Sequence, residues 1–209
     1  MTSNLSPSKI LCVGRNFRAH AAELDHEVPS EPLFFFKPPS SLIGNGEPIR
    51  IPDGVGRVDF EGEVAVVVGR RARRLKEEEA LSCVEAVLPA NDVTARDLQR
   101  QDSQWTRAKG FDTFCAVGDP VPFEPEAWEG LVVRARVNGK ERQEGRISDL
   151  VFTLPFLLSH ISHIMTLEPG DLLLTGTPSG VGPIHPGDVV EVEVEGVGVL
   201  KNPVQRAEP

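Results

Sequence analysis

Short runs of Val, Ile, Leu and Phe, broken at close intervals by Gly and Pro, dominate this chain. Runs of this length closed by turn residues predict strands, with few helices between them. Lys9 to Val13 reads as a strand ended by Gly14, Leu33 to Phe36 as a second closed by Lys37-Pro38-Pro39, and Pro48 to Ile51 as a third. Phe60 to Val68 predicts a long buried strand, and Ser82 to Asp92 contains another that delivers Asp92. Leu131 to Val137 and the residues from Glu141 form a predicted hairpin around Asn138-Gly139, a type I′ turn pair. Pro169-Gly170 and Pro186-Gly187 bracket strands at Asp171 to Thr175 and Val189 to Val194.

Helical spacing is confined to a few segments. Asn16 is placed to cap a short helix over Phe17 to Leu24, and Thr94 to cap one running to Gln101. Glu77 to Ala80 predicts a helical turn with its three Glu on a solvated face. Thr153 to Met165 is amphipathic, with Leu154, Leu157, Leu158, Ile161 and Met165 on one side. His160 and His163 on that helix read as surface or packing residues, and Asp25 to Pro32 reads as a loop. No repeat, low-complexity tract or linker interrupts the chain. The expectation is a β-rich α+β fold in one domain over 1–209, with about the first eight residues a short N-terminal extension.

Composition narrows the function classes. With 209 residues there is ample chain for a core. The net charge of −9 argues against nonspecific nucleic-acid binding and anionic membrane surfaces. No apolar run reaches the ~20 residues of a membrane span. Cys12, Cys83 and Cys115 are widely spaced and form no CxxC, so they read as core residues without zinc. The polar stretch Met1 to Lys9 and these thiols predict a reducing, cytoplasmic setting. Neither GxGxxG nor a P-loop is present.

Four constellations carry candidate chemistry. Glu61 and Glu63 lie on one face of a strand, about 7 Å apart along the backbone. Two carboxylates so placed repel unless a hard cation joins them, and Gly62 between them permits a close approach. The plain alternative is a solvated pair at a frayed strand end. Asp92, otherwise a turn or cap residue, supplies a third oxygen donor, leaving about three open positions on an octahedral cation. A 2-oxo acid, with its carboxylate and keto oxygens, would fill two of them. His20 and Glu23, three residues apart, share a helix face and suit a carboxylate-oriented general base, or else a surface pair. Arg96, Asp97 and Gln99 follow Asp92, and Lys109 lies in a low-charge stretch where its ammonium could anchor an oxyanion or simply face solvent. Finally, Thr175-Gly176-Thr177-Pro178-Ser179-Gly180-Val181-Gly182 is a Gly-rich loop whose hydroxyls and N–H groups could cradle a carboxylate or merely connect strands.

Taken in order, several segments resemble the fumarylacetoacetate hydrolase family in its short, single-domain branch. They are Cys12-Val13-Gly14-Arg15-Asn16-Phe17 with His20 and Glu23, Phe34-Phe35-Phe36-Lys37-Pro38, Asp59-Phe60-Glu61-Gly62-Glu63, Asn91-Asp92-Val93-Thr94-Ala95-Arg96-Asp97, Lys109-Gly110-Phe111-Asp112 and Thr175-Gly176-Thr177-Pro178. The resemblance implies a mixed β-roll, often dimeric, with Mg²⁺ or Mn²⁺ on Glu61, Glu63 and Asp92. It implies a water-activating His20–Glu23 dyad on a lid, an oxyanion-stabilising Lys109, and substrate contacts from Lys37, Gln99, Thr177 and Arg15. The implied chemistry is on 2-oxo acids through an enolate held at the cation. Hydrolysis of an acylpyruvate-type C–C bond leads, with oxaloacetate decarboxylation or isomerisation of a 2-hydroxydienedioate as the alternative. The implied partners are a small 2-oxo acid and a second copy of the chain. Phe17 stands where the family often has Tyr, and Asp59-Phe60 replaces a His-containing pair; both bear on the substrate rather than on the cation.

Overall fold

In the computed structural model the described residues are 5–19 and 29–208. Strands dominate them, as the turn-punctuated apolar runs predict. The largest sheet places Leu33–Lys37, Ile10–Gly14, Leu172–Leu174, Gly62–Val68, Val84–Asp92, Cys115–Val117 and Leu42–Ile43 side by side, with Val121–Pro122 on the flank of Val84–Asp92. Its pairings are mixed. Ile10–Gly14 runs parallel to Leu172–Leu174, and Gly62–Val68 is antiparallel to both Leu172–Leu174 and Val84–Asp92. A second sheet orders Lys140–Arg146, Val132–Val137, Val189–Val194, Gly198–Arg206 and Ile49–Ile51. A small third sheet joins Gly182–Pro183, Val58–Phe60 and Thr94–Ala95.

Gly62–Val68 is buried at every position, so the large sheet is covered on both faces. Val64, Val66 and Val68 pack in the main core with Val133, Ala135 and Val192 of the second sheet. Ala65 and Val67 point the other way, into a smaller core with Ile10, Cys12, Ala86, Leu88, Ala90, Leu172 and Leu174 inside the curl of the large sheet. Period-two alternation then dictates where the acids go. Continuing Val67, Ala65 backwards along the strand gives Glu63 and Glu61. Continuing Ala86, Leu88, Ala90 forwards gives Asp92. The carboxylates therefore lie at one end of the small core.

Gly62 belongs to the opposite face. A Cβ there would sit 2.9 Å from Ala135 Cβ, with Gln143 and Val192 close behind. The close approach that a glycine at this position permits is made by the second sheet. Asn138 and Gly139 both have positive φ (53° and 75°), the type I′ geometry of the predicted hairpin. The helix over Leu154–Ile164 is capped by Thr153, whose hydroxyl accepts from Phe156 N. Thr94 does not cap its helix. It is part of a two-residue strand, its hydroxyl donates to the Asp92 carbonyl, and the helix begins later, as Arg96–Gln101. The three cysteines are buried and free; burial pushes the Cys115 thiol up to about 12 and the Cys12 thiol well above its usual value. Among the described residues no helix is long and apolar enough to cross a membrane.

Candidate metal centre

Glu61, Glu63 and Asp92 each present a carboxylate oxygen within 4.8 Å of the others, and all three side chains are buried. Burying like charges this closely is costly without compensation. For two of the three the chain supplies it. Lys109 Nζ donates to Glu61 Oε2 at 2.8 Å and to Asp92 Oδ2 at 2.6 Å. Lys37 Nζ holds the other Asp92 oxygen at 2.5 Å and the Val93 carbonyl at 3.1 Å. Arg96 Nη2 holds Glu61 Oε1 at 2.7 Å.

Glu63 differs. Gly176 N donates to Glu63 Oε2 at 2.7 Å, and among the described residues no Lys or Arg pairs with it. Burial first, and then the charges of Asp92 and Glu61, hold its carboxyl well above the usual glutamate range. A buried carboxylate lacking a counter-cation, beside two more oxygen donors, fits a divalent ion. The all-oxygen donor set suits Mg²⁺, Mn²⁺ or Ca²⁺ better than zinc. Gly176 has a positive φ (111°), which glycine adopts without strain. A Cβ there would lie 2.8 Å from Asn16 Cβ, so only glycine lets this N–H reach Glu63. The Gly-rich loop thus cradles a carboxylate, the chain's own Glu63.

Lys109 is buried, with Nζ 4.9 Å from the centroid of the Phe35 ring. Desolvation works to neutralise it, yet Asp92 and Glu61 outweigh that and raise its pKa. Arg96 behaves alike: burial opposes its charge, while Glu61 and Asp59 more than restore it. The Arg96 guanidinium spends all three nitrogens on named partners, Nε on Asp59 Oδ2 at 2.9 Å, Nη1 on Gln99 Oε1 at 2.6 Å and Nη2 on Glu61. Asp59 in turn receives Arg57 through both of its oxygens. The sequence reading did not place Asp59 or Arg57 here. A signal existed: Asp59 shares the parity of Glu61 and Glu63 along the strand.

A cavity of about 340 Å³ opens over the acids, and Arg15, Gln99, Lys109 and Thr177 line it. Four of the expected site residues therefore converge on the three carboxylates. Thr177 spends its hydroxyl proton on the Gly62 carbonyl and accepts from Gln143 Nε2, both at 2.8 Å. Lys37 lines a neighbouring cavity of about 880 Å³ instead, with Phe36 and Pro38, so its role here is to fix Asp92. Phe35, Trp105 and Arg15 border both cavities. Phe35 and Trp105 meet edge to face with centroids 5.2 Å apart. Asn16 anchors the start of the preceding loop, accepting from Phe152 N and donating to the Phe152 and Thr175 carbonyls. His20 and Glu23 lie outside the described residues, as does most of the helix expected over Phe17 to Leu24 and part of the loop expected over Asp25 to Pro32.

The sequence model for the fumarylacetoacetate (FAA) hydrolase C-terminal domain matches residues 9–205. The chain belongs to the fumarylacetoacetate hydrolase family. Family members of known structure share its fold closely. A 2-hydroxyhepta-2,4-diene-1,7-dioate isomerase from Mycobacterium marinum is 42% identical with a TM-score of 0.88, covering 97% of this chain and 76% of that one. A fumarylpyruvate hydrolase from Pseudomonas aeruginosa, solved with Mn²⁺ and pyruvate, is 28% identical with a TM-score of 0.92, covering 99% and 93%. Among curated proteins, an oxaloacetate tautomerase from Bos taurus, the mitochondrial FAHD1, is 40% identical over 205 residues, 95% of this chain and 92% of the relative. The family thus includes hydrolases, isomerases and tautomerases, and the β-rich mixed fold expected from the sequence is the family's own.

Proposed function

We propose that this protein is a divalent-metal-dependent enzyme that enolises a 2-oxo acid, moving a proton at the carbon next to the keto group. The observation that carries the reading is the buried triad with an uncompensated Glu63 at the floor of a cavity lined by cations. Glu61, Glu63 and Asp92 would hold Mg²⁺ or Mn²⁺, which supplies Lewis acidity toward the carboxylate and keto oxygens of the substrate. Lys109 is the residue that meets developing negative charge. Its ammonium is pre-aimed by two carboxylates and shielded from water by Phe35. Gln99 has its carbonyl oxygen committed to Arg96, so its amide N–H₂ faces the substrate as a donor. The Thr177 hydroxyl proton is committed to Gly62, so its contribution to an anionic substrate comes from its backbone N–H. His20, oriented by Glu23, is the proposed base. Support for proton transfer comes from the tautomerase and the dienedioate isomerase, both at least 40% identical to this chain.

C–C bond hydrolysis of an acylpyruvate-type substrate is the second reading. The fumarylpyruvate hydrolase, with its near-identical backbone course, favours it. Here His20 would deprotonate water instead of carbon. Deuterium exchange at C3 of oxaloacetate and cleavage of acetylpyruvate, followed by NMR with Mg²⁺ or Mn²⁺, separate the two. Enzyme-dependent exchange without cleavage is expected, and His20→Ala should remove it. Cleavage of acetylpyruvate at a rate matching exchange would install hydrolysis, and neither activity on any 2-oxo acid would overturn both.

A further inference from the structure

Glu61 sits where one strand ends and the next begins. Val58–Phe60 belongs to the small third sheet and Gly62–Val68 to the large one, with Glu61 in the break between them. Backbone N–H groups at such a break need partners of their own. Two buried side-chain amides provide them. Glu61 N donates to Asn91 Oδ1 at 2.9 Å, and Gly62 N donates to Gln143 Oε1 at 2.9 Å. The Gly62 carbonyl accepts the Thr177 hydroxyl at 2.8 Å. Asn91 is fully buried, yet its Nδ2 has no partner among the described residues. An apolar side chain would avoid that cost, so the bond from Glu61 N is what this amide contributes.

Gln143 is the more unusual of the two. It lies on Lys140–Arg146 of the second sheet, a strand whose exposed positions are all charged and whose buried ones are Gln143 and Gly145. Ala135 and Val192, which share its approach to Gly62, are apolar. All of the Gln143 amide is committed. Besides accepting from Gly62 N, it donates through Nε2 to Thr177 Oγ1 at 2.8 Å and to the Pro178 carbonyl at 2.7 Å. Gly145 leaves room for this contact, since a Cβ there would lie 2.6 Å from Pro178 Cβ. One side chain of the second sheet therefore joins the peptide between Glu61 and Glu63 to the Gly-rich loop. That loop, through Gly176 N, holds the Glu63 carboxylate.

Resting on the metal reading above, we infer that Gln143 is a positioning residue for the metal centre. It fixes the Glu61–Gly62 peptide and the Thr177 loop as one unit, and so holds the Glu61 and Glu63 carboxylates to a strict geometry. Gln143 neither lines the cavity over the acids nor belongs to the three carboxylate donors. Its effect falls on which ion is held. Mg²⁺ demands a near-ideal octahedron with oxygens at about 2.0–2.1 Å, whereas Ca²⁺ accepts irregular shells at about 2.3–2.6 Å. A fixed carboxylate pair serves the first kind of ion, and a loosened pair costs Mg²⁺ more than Ca²⁺.

Competition against Mn²⁺ in the metal-free protein tests this, with free Mn²⁺ read by paramagnetic resonance and Mg²⁺ or Ca²⁺ as the displacing ion. Gln143→Met keeps the length and bulk of the side chain and removes all three hydrogen bonds. It should bind Mn²⁺ about tenfold more weakly than the wild type, and its Ca²⁺-to-Mg²⁺ affinity ratio should rise about fivefold or more. Ile161→Val, in the main core on the helix Leu154–Ile164, lowers stability without touching these hydrogen bonds and should leave the ratio at its wild-type value. If melting curves show that Gln143→Met does not fold, Thr177→Val is read by the same ratio. It cuts the bond to the Gly62 carbonyl and leaves Gln143 in place. An unmoved ratio, or an equal rise in Ile161→Val, overturns the inference and leaves the metal reading standing. A wild type that takes up no Mn²⁺ removes the metal reading, and this inference with it.

Discussion

Glu63 occupies a position that a protein selected only for stability would not fill with a carboxylate. It is buried, has one backbone N–H donor, and sits beside two further acids. Its raised pKa means that the folded, metal-free protein holds this proton more tightly than the unfolded chain does. The stability linked to Glu63 is therefore full below the ordinary glutamate range and is lost as pH rises through the elevated folded value. Glu63→Gln keeps the shape and removes the charge. Melting curves at neutral pH should show the metal-free variant a few degrees more stable than the wild type, with the stabilisation by added Mn²⁺ gone. A less stable variant that still responds to Mn²⁺ would contradict the role assigned here. At this scale the sequence was informative about residue type and spacing: Glu61, Glu63, Asp92, Lys109, Gln99 and Thr177 do converge. It was silent on partnership. Nothing in the spacing of Lys37 and Asp92, 55 positions apart, says that their side chains meet. The Gly-rich loop was likewise recognisable as an anion cradle, while the identity of its anion needed the tertiary fold.

Elements deliver these residues by simple parity. The strand Gly62–Val68 and its neighbour Val84–Asp92 send alternate residues into the small core, and the acids are the terminal members of the two series. Strand positions and the Asn138-Gly139 hairpin were legible because apolar runs and turn residues encode them locally. The late start of the Arg96–Gln101 helix was not, because Thr94–Ala95 is recruited into a strand by Val58–Phe60, a long-range pairing that overrides local propensity. The entry of the parallel strands Ile10–Gly14 and Leu172–Leu174 is pinned by Asp171, which accepts from Ser8 Oγ at 2.6 Å, Lys9 N at 3.1 Å and Glu168 N at 2.7 Å and is ion-paired with Lys9. Burial alone would raise its pKa, but these donors reverse that and lower it. Its stabilisation is accordingly present above the ordinary aspartate range and lost as pH falls through the depressed folded value. Asp171→Asn should cost about 1–3 kcal/mol at pH 7 and much less near pH 3, read from urea unfolding at the two pH values. An equal cost at both would show that the carboxylate charge is not what holds this junction.

On the scale of the whole molecule, the two larger sheets form a housing, and the three carboxylates sit where the small core ends. The main core lies between the sheets and carries no charge from the site. Fold and site are therefore separable: substitutions among Arg15, Gln99 and Thr177 at the cavity should redirect substrate choice without unfolding the housing, in the way one family accommodates hydrolases, isomerases and tautomerases. What the proposed chemistry requires of this housing is uptake of a divalent ion. Titration of the metal-free protein with Mn²⁺, counted by the loss of free-ion paramagnetic resonance signal, measures this directly. One ion should be taken up per chain, with uptake abolished in Glu63→Gln and in Asp92→Asn. No uptake by the wild type, or equal uptake by all three proteins, would contradict the assignment of Glu61, Glu63 and Asp92 as a metal centre.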